Sequence, residues 1–143
     1  MSYATGDDMV TTFGERECIS LTDHSHTGEI DQSVMDNALS RASAEIDGYL
    51  VGRYATPWPD APRILVGRCC DIARYQLASA ERILSDEIKL RYDDAIRFLV
   101  QVASGKISLG RTDTGSVIQG SSQVKIYSGS RQFGRDSTGG GAF

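Results

Sequence analysis

Residues 31–50 have the sequence DQSVMDNALSRASAEIDGYL, in which apolar side chains recur every three or four positions. These positions are Val34, Ala38, Ala42, Ile46, Tyr49 and Leu50. Such spacing places them on one face of an α-helix, and Asp31 or Ser33 can cap its first turn. The segment therefore predicts a long amphipathic helix that ends by Tyr54. Its alanines, Ala44 among them, would let a second helix approach closely.

Upstream of this segment the sequence predicts a helix followed by a short turn. Thr5 is a suitable N-terminal cap, and Asp7 and Asp8 follow it in the first turn, where the helix dipole favours anions. Gly14 interrupts the helical pattern, because glycine has a low helix propensity. A single helical turn over residues 15–21 then leads into a polar loop.

Downstream, all three prolines of the chain lie in residues 56–62, where the backbone must be extended or turning. Pro62 suits the first turn of the next helix. Ser85 caps a last helix, and Gly105 ends that helix. The apolar stripes of these two helices are Leu65, Cys69, Ile72, Ala73, Leu77 and Ala80, and Ile88, Tyr92, Ala95, Ile96, Leu99 and Val102. We therefore predict a mainly α fold, a small bundle of about four helices that spans residues 1–104.

Arg53, Tyr54 and Trp58 lie where the long helix gives way to the proline-rich turn. Trp58 is expected to pack where the helices meet. Core packing and a further interface explain Tyr54 and Trp58 equally well, so both interpretations stay open.

The composition of the chain changes after residue 104. Nine of the fifteen glycines lie from Gly105 onward, and such a glycine- and serine-rich segment cannot bury enough apolar surface to fold alone. Residues 1–104 hold ten Lys and Arg against seventeen Asp and Glu, a net charge of −7, whereas residues 105–143 hold five against two, a net charge of +3. We predict an acidic helical body, residues 1–104, and a basic C-terminal arm, residues 105–143, that becomes ordered on assembly.

Two pieces of the arm alternate apolar and polar side chains, at residues 106–110 and 123–127. This alternation is typical of β-strands and predicts short β segments within the arm. Isolated strands of this length would not be stable, but they could be added to the sheet of another chain.

Residues 23–31 imitate a calcium-binding loop, with oxygen-bearing side chains at alternate positions. The twelfth position is Val34, where the motif needs a bidentate Glu, so we interpret the segment as a turn with Gly28 at positive φ. His24 and His26 are then expected to be solvated. A calcium-dependent module is the alternative, and a rise in thermal stability on adding calcium would reveal it.

The remaining chemistry in the sequence is sparse. Cys18, Cys69 and Cys70 form no CxxC pair, and we predict buried thiols. No nucleophile, base and orienting acid form a recognisable catalytic set, so we predict no enzyme, no cofactor and no metal. No apolar run approaches the roughly 20 residues that a membrane span needs, and we expect synthesis in a cytosol without a signal peptide. The net charge of −4 argues against a dedicated nucleic-acid binder.

Short motifs along nearly the whole chain resemble one family. They are Tyr3-Ala4-Thr5, Asp8-Met9, Phe13-Gly14, Leu21-Thr22-Asp23, Gly28-Glu29-Ile30-Asp31, residues 42–50, Arg53-Tyr54, residues 70–75, residues 91–95, residues 105–110 and Phe133-Gly134-Arg135-Asp136. Together these motifs are similar to those of small proteins encoded in the head-morphogenesis region of Mu-like phages and prophages.

The resemblance implies a virion structural protein, namely a helical head-tail connector, also called an adaptor or head-completion protein. Such proteins form a ring, commonly of twelve subunits, beneath the portal and extend the channel that DNA traverses. The implied partners are further copies of the chain, the portal protein and a stopper or tail-completion protein. DNA would pass without sequence-specific binding, no membrane would be involved, and the protein would lie in the neck of the virion, at the head-tail interface.

On this interpretation the arm makes the inter-subunit and portal contacts. The residues predicted to make them are Ile107, Leu109, Val124, Ile126, Tyr127, Arg131, Phe133 and Arg135. Phe133 is an apolar side chain flanked by arginines, a combination that interface hot spots favour.

Two other functions stay open. A tail-side ring protein, such as a stopper or tail terminator, is usually built on a β-rich core, and the helical periodicity weighs against it. A small soluble phage-encoded regulatory binding module would sediment as a monomer.

Overall fold

Five α-helices form the secondary structure of residues 2–56, 58 and 60–110, which are the residues that the computed structural model describes. In chain order they are α1 (Gly6–Phe13), α2 (Glu15–Thr22), α3 (Gln32–Leu50), α4 (Arg63–Ala80) and α5 (Asp86–Ala103). The predicted mainly α bundle is confirmed for this part of the chain, but the number of about four helices is wrong. The segment predicted as a single turn is the full helix α2, because Cys18 and Leu21 are buried in the core and hold it in place.

Each predicted N-terminal cap accepts a hydrogen bond from the first turn of its helix. Thr5 Oγ1 accepts from the Asp8 N–H at 3.3 Å, Asp31 Oδ1 from the Val34 N–H at 3.1 Å, and Ser85 Oγ from the Ile88 N–H at 3.3 Å. These bonds satisfy N–H groups that have no partner within the helix. The caps therefore define where α1, α3 and α5 begin, as their sequences predict.

Two boundaries around α4 and α5 are set by proline and glycine. Pro62 precedes α4 as its capping residue rather than lying inside the first turn, where it was predicted. Gly105 follows α5 with φ of 86°, a left-handed conformation that glycine adopts without steric cost. The predicted end of α5 is thus confirmed.

The three long helices pack on one another, and α1 and α2 lie against α3 and α4. Helices α3 and α4 contact each other at Ser43 and Cys69, whose Oγ and Sγ atoms are 3.4 Å apart. Helices α4 and α5 run in opposite directions, since Arg68 early in α4 lies over the ring of Phe98 late in α5. The side chains buried at these contacts include Met35, Leu39, Ala42, Ile46, Leu65, Ile72, Ala73, Ala95 and Leu99. The predicted close approach holds at Ala38 and Ala42, but Ala44 is exposed to solvent.

Trp58 lies within the connection between α3 and α4 and is almost completely buried. Its ring stacks on that of Tyr54, with centroids 4.8 Å apart. The expectation that Trp58 packs where the helices meet is confirmed. Of the two interpretations of these aromatic rings, core packing is the one that their burial supports.

Residues 106–110 do not form the predicted β segment. The N–H groups of Lys106 and Ile107 both donate to the carbonyl oxygen of Gln101, so the chain makes a turn directly after α5. The alternating pattern is overridden here by hydrogen bonds to the helix end. The second predicted β segment, residues 123–127, lies outside the described residues.

Candidate interaction site

The start of the C-terminal arm is held on the body by Arg53, which follows α3. Its Nη1 atom donates to the carbonyl oxygen of Val102 in the last turn of α5 at 2.6 Å, and to that of Ile107 at 3.3 Å. A guanidinium suits this position, because the carbonyl end of a helix carries partial negative charge. Arg53 therefore fixes the direction in which the chain leaves α5.

Gly105 allows this turn to form. A Cβ atom at this position would lie 3.8 Å from the Arg53 guanidinium, which is ordinary contact, but φ of 86° would strain any other residue. The glycine is therefore required for the backbone conformation rather than for space.

Tyr54 provides the second contact with the same segment. Its buried hydroxyl accepts a hydrogen bond from the Leu109 N–H at 3.1 Å. We call residues 105–110 the arm root. Arg53 and Tyr54 each hold the arm root at a different point, and both lie about fifty residues before it in the sequence.

The structure describes two of the eight predicted contact residues. Ile107 and Leu109 are partly buried and pack against the hydrophobic core of their own chain. The other six, Val124, Ile126, Tyr127, Arg131, Phe133 and Arg135, lie outside the described residues. Tyr54 and Trp58 belong to the hydrophobic core. Tyr54 also holds the arm root, because its hydroxyl accepts the hydrogen bond from the Leu109 N–H.

Replacing Arg53 with Met should loosen the arm root without unfolding the body. Hydrogen bonds from a charged group contribute about 1.5–3 kcal/mol, so the amides of Ile107 and Leu109 should exchange with solvent about tenfold faster. Tyr54→Phe should speed exchange at Leu109 alone. Arg41→Met, on the exposed face of α3, is the matched control. Unchanged exchange in Arg53→Met would show that the arm root is held by other contacts.

A second cluster of charged side chains joins α1 and α2 to α4 and α5. The Arg74 side chain is only 8% exposed, and its Nε atom lies 2.5 Å from Glu17 Oε1. Its guanidinium also lies over the ring of Phe13, 4.4 Å from the centroid. On the other side, Nη1 of Arg74 is 3.6 Å from Glu87 Oε1, which also pairs with Arg91. The sequence motif at residues 70–75 contains Arg74 but does not reveal this role.

One further carboxylate lies at the edge of this cluster. Burial raises the pKa of the Asp71 carboxyl, although the Arg91 guanidinium at 3.8 Å opposes the effect. Asp71 and Arg91 therefore complete a network of ion pairs across α4 and α5. A basic residue at a position facing the other helices, as Arg74 is, was the available sequence signal for this cluster.

The loop that imitates a calcium site is closed by its own backbone. The Asp23 carboxylate accepts hydrogen bonds from the N–H groups of Thr27 at 2.9 Å and Gly28 at 2.7 Å, and Gly28 has φ of 83°. The interpretation as a turn is confirmed. His24 was expected to be solvated, but its Nε2 atom lies 2.9 Å from Glu81 Oε1, with both side chains partly exposed.

These hydrogen bonds hold the pKa of the Asp23 carboxyl below its usual range. Because the folded-state pKa is below the unfolded one, the stabilisation is complete above about pH 4 and is lost as pH falls through the folded-state pKa. We expect the amide resonances of Thr27 and Gly28 to shift together with a midpoint below about pH 4. Asp23→Asn should abolish this transition. A midpoint at or above pH 4 would contradict the assignment.

All three cysteine thiols are buried, as predicted. Burial raises the pKa of each thiol, that of Cys70 to about 12. Thiols in such surroundings are poor nucleophiles and poor metal ligands. Among residues 2–56, 58 and 60–110, no three His, Cys, Asp or Glu side chains are grouped so that they could hold a metal ion. Within the same residues, no helix combines the length and apolar character that crossing a bilayer requires.

The fold and the arm root define a small helical protein whose C-terminal segment is attached to the body at a specific place. Residues 3–128 match the protein family described as "Bacteriophage Mu, Gp36", and the chain belongs to this family. The chain is 32% identical over 141 residues to "Gene product J" of Escherichia phage Mu, covering 97% of this chain and 99% of that protein. It is 38% identical over 111 residues to "Mu-like prophage FluMu protein gp36" of Haemophilus influenzae, covering 78% of this chain and 77% of that protein.

These similarities confirm the resemblance to proteins of Mu-like phages and prophages. The chain is therefore a phage protein.

Proposed function

We propose that this chain is a virion structural protein, a head-tail connector that forms a ring under the portal. The ring extends the DNA channel and joins the head to the tail. The observation that carries this proposal is the arm root, where Arg53 and Tyr54 hold the start of the basic arm on the body. Because the arm begins at a defined place on the body, the body and the arm can contact different partners.

The charges of the two parts support this arrangement. A closed ring needs head-to-tail contacts between two unlike surfaces on each subunit. The body has a net charge of −7 and the arm a net charge of +3, so arm and body are electrostatically complementary. An acidic surface facing the channel would also let DNA slide, because few Lys and Arg would bind its phosphates.

On this proposal the partners are neighbouring copies, the portal protein and a stopper or tail-completion protein. A ring of twelve subunits would lie in the neck of the virion after synthesis in the host cytoplasm. The protein would need no catalytic residues, cofactor or metal, and it would neither enter a membrane nor bind DNA sequence-specifically. The helical body favours a connector over a stopper or tail terminator, which usually has a β-rich core.

Cross-linking and mass spectrometry on purified particles test the proposal. The chain has three lysines, Lys89, Lys106 and Lys125, so links can be assigned without ambiguity. Lys106 is exposed in the arm root, which lies against the body, so its links report on the surroundings of the body. Links from Lys125 report on the surroundings of the rest of the arm. We expect links from Lys125 to portal peptides or to the body of a neighbouring copy.

Two results would contradict the connector function. One is that Lys106 and Lys125 link only within their own chain. The other is that the protein is absent from particles, which would favour the soluble binding module.

A further inference from the structure

The outer face of α5 is not covered by any other helix of the described part. Ile88, Ala95, Leu99 and Val102 are buried on its inner side. On the opposite side, a stripe at helical spacing is formed by Asp86, Leu90, Asp93, Arg97 and Val100. Leu90 is 60% exposed and Val100 is 49% exposed. A stripe of charged residues that includes two exposed apolar side chains, on a helix whose other face is well packed, is a candidate docking surface.

Asp86 and Asp93 flank Leu90 on this stripe. Within residues 2–56, 58 and 60–110, neither carboxylate makes an ion pair or a side-chain hydrogen bond, whereas Asp94 is paired with Arg97 at 2.8 Å. Their positions are one helical turn before and one turn after Leu90, about 6 Å and about 4.5 Å along the axis. The surface therefore presents an apolar centre with an acidic group on each side.

The arm carries the complementary pattern. Arg131-Gln132-Phe133-Gly134-Arg135 places one arginine two residues before Phe133 and one two residues after it. In an extended chain, alternate side chains point to the same side and are about 6.6 Å apart. The basic–aromatic–basic spacing of this segment thus matches the acidic–apolar–acidic spacing on α5.

We propose that residues 131–135 of a second copy dock on the outer face of α5. Phe133 packs on Leu90, and Arg131 and Arg135 pair with Asp86 and Asp93. This inference rests on the proposed function and names the surface that receives the arm. A negatively charged receptor also excludes DNA phosphate as the occupant.

A second copy is favoured over the chain's own arm because of how rings close. Each subunit of a ring needs two unlike patches that meet on neighbouring copies, and the arm and the α5 face are such a pair. The reach of the arm does not distinguish the two cases. The twenty residues between Gly110 and Arg131 can span up to about 70 Å, whereas Leu90 lies about 20 Å from the end of α5. The test must therefore separate the two cases.

A photo-reactive benzoylphenylalanine in place of Phe133 keeps an aromatic side chain and reports what it touches. The full chain with this probe is produced together with a differently tagged full chain without it, and particles are purified. We expect a cross-linked product that contains both tags and maps to residues 86–94. The same probe at Phe143 is the control and should not map there. A product confined to one chain, or a probe at residue 133 that maps to the portal or another surface, would overturn the proposal.

Charge reversal tests the ion pairs. Asp93→Lys, and the pair Arg131→Glu with Arg135→Glu, should each lower the amount of chain in particles about tenfold, because like charges then meet. Combining the three substitutions in one chain should restore only part of the incorporation, because the pair at Asp93 forms again with reversed charges while Asp86 then faces a glutamate. We choose Asp93 for the substitution because it lies beyond the first turn of α5. In that first turn, Asp86→Lys would also lose the favourable interaction with the helix dipole. Glu29→Lys, on an exposed loop, is the matched control and should have no effect.

The two proposals can fail separately. If the chain is in particles but the probe at residue 133 does not reach α5, the connector function stands and the docking surface is wrong. If the chain is absent from particles, the connector function is wrong, and the probe is then tested on the purified full chain at high concentration. A link between copies on α5 would still support the surface, and its absence would overturn it.

Discussion

A chain that ends at Gly110 is expected to fold as the full chain does and yet to be missing from purified particles. Residues 1–110 keep all five helices and both contacts that hold the arm root, from Arg53 to Val102 and from Tyr54 to Leu109. The deletion removes the predicted contact residues beyond Gly110. The free energy of unfolding should therefore stay within about 0.5 kcal/mol of the full chain, while incorporation should fall below detection.

A chain that ends at Ser104 is the informative comparison. It also loses the partly buried side chains of Ile107 and Leu109 and their hydrogen bonds, which should lower the free energy of unfolding by about 2–3 kcal/mol. Urea denaturation separates the two truncations, and quantitative mass spectrometry of particles measures incorporation. If the chain ending at Gly110 entered particles at the full-length level, the arm would have no role in assembly.

Replacing Arg74 with Met should lower the free energy of unfolding by about 3 kcal/mol. Removing one partner of a buried ion pair costs about 3–5 kcal/mol, and the lower end applies here because Glu17 is 32% exposed and can reach water. The loss of the contact with the ring of Phe13 accounts for about 0.5–1 kcal/mol of this total. For a body of this size the Tm should fall by roughly 10–20 °C.

Urea denaturation followed by circular dichroism measures this loss, with Arg97→Met as the control. Arg97 is 66% exposed and, among the residues that the structure describes, pairs with Asp94 alone, so its replacement should change stability by less than about 0.5 kcal/mol. Because Arg74 joins α2 to α4, hydrogen exchange should increase more in α1 and α2 than in α3. A loss below about 1 kcal/mol in Arg74→Met would show that the ion pair with Glu17 contributes little.

Much of the fold could be predicted because it depends on neighbours in the sequence. A cap such as Thr5, Asp31 or Ser85 acts on N–H groups two or three residues further on, so its chemistry is visible in the sequence. The apolar periods of α3, α4 and α5 likewise identify the buried faces, although Ala80 is exposed, and Gly28 was predicted at positive φ and Gly105 at the end of α5. The family resemblance was also carried by local motifs.

Other features depend on contacts between distant segments. The sequence of residues 15–22 indicates only a turn, and α2 is a helix because Cys18 and Leu21 are buried against other helices. The ion pair between Glu17 and Arg74 joins positions 57 residues apart, and the contact between His24 and Glu81 joins two loops. No pattern of spacing reports such pairs, so the sequence could at most single out Arg74 as a basic residue on an inward-facing position, and it could not identify its partners.

The sequence by itself determined the helical class, the caps, the burial of the cysteines, and the contrast between an acidic body and a basic arm. Only the tertiary structure decided that residues 106–110 turn back onto the body instead of forming a strand. The physical reason is that Arg53 and Tyr54, which lie 54 and 55 residues before Ile107 and Leu109, supply hydrogen bonds. Together with the bonds from Lys106 and Ile107 to the Gln101 carbonyl, they outweigh a local alternating pattern.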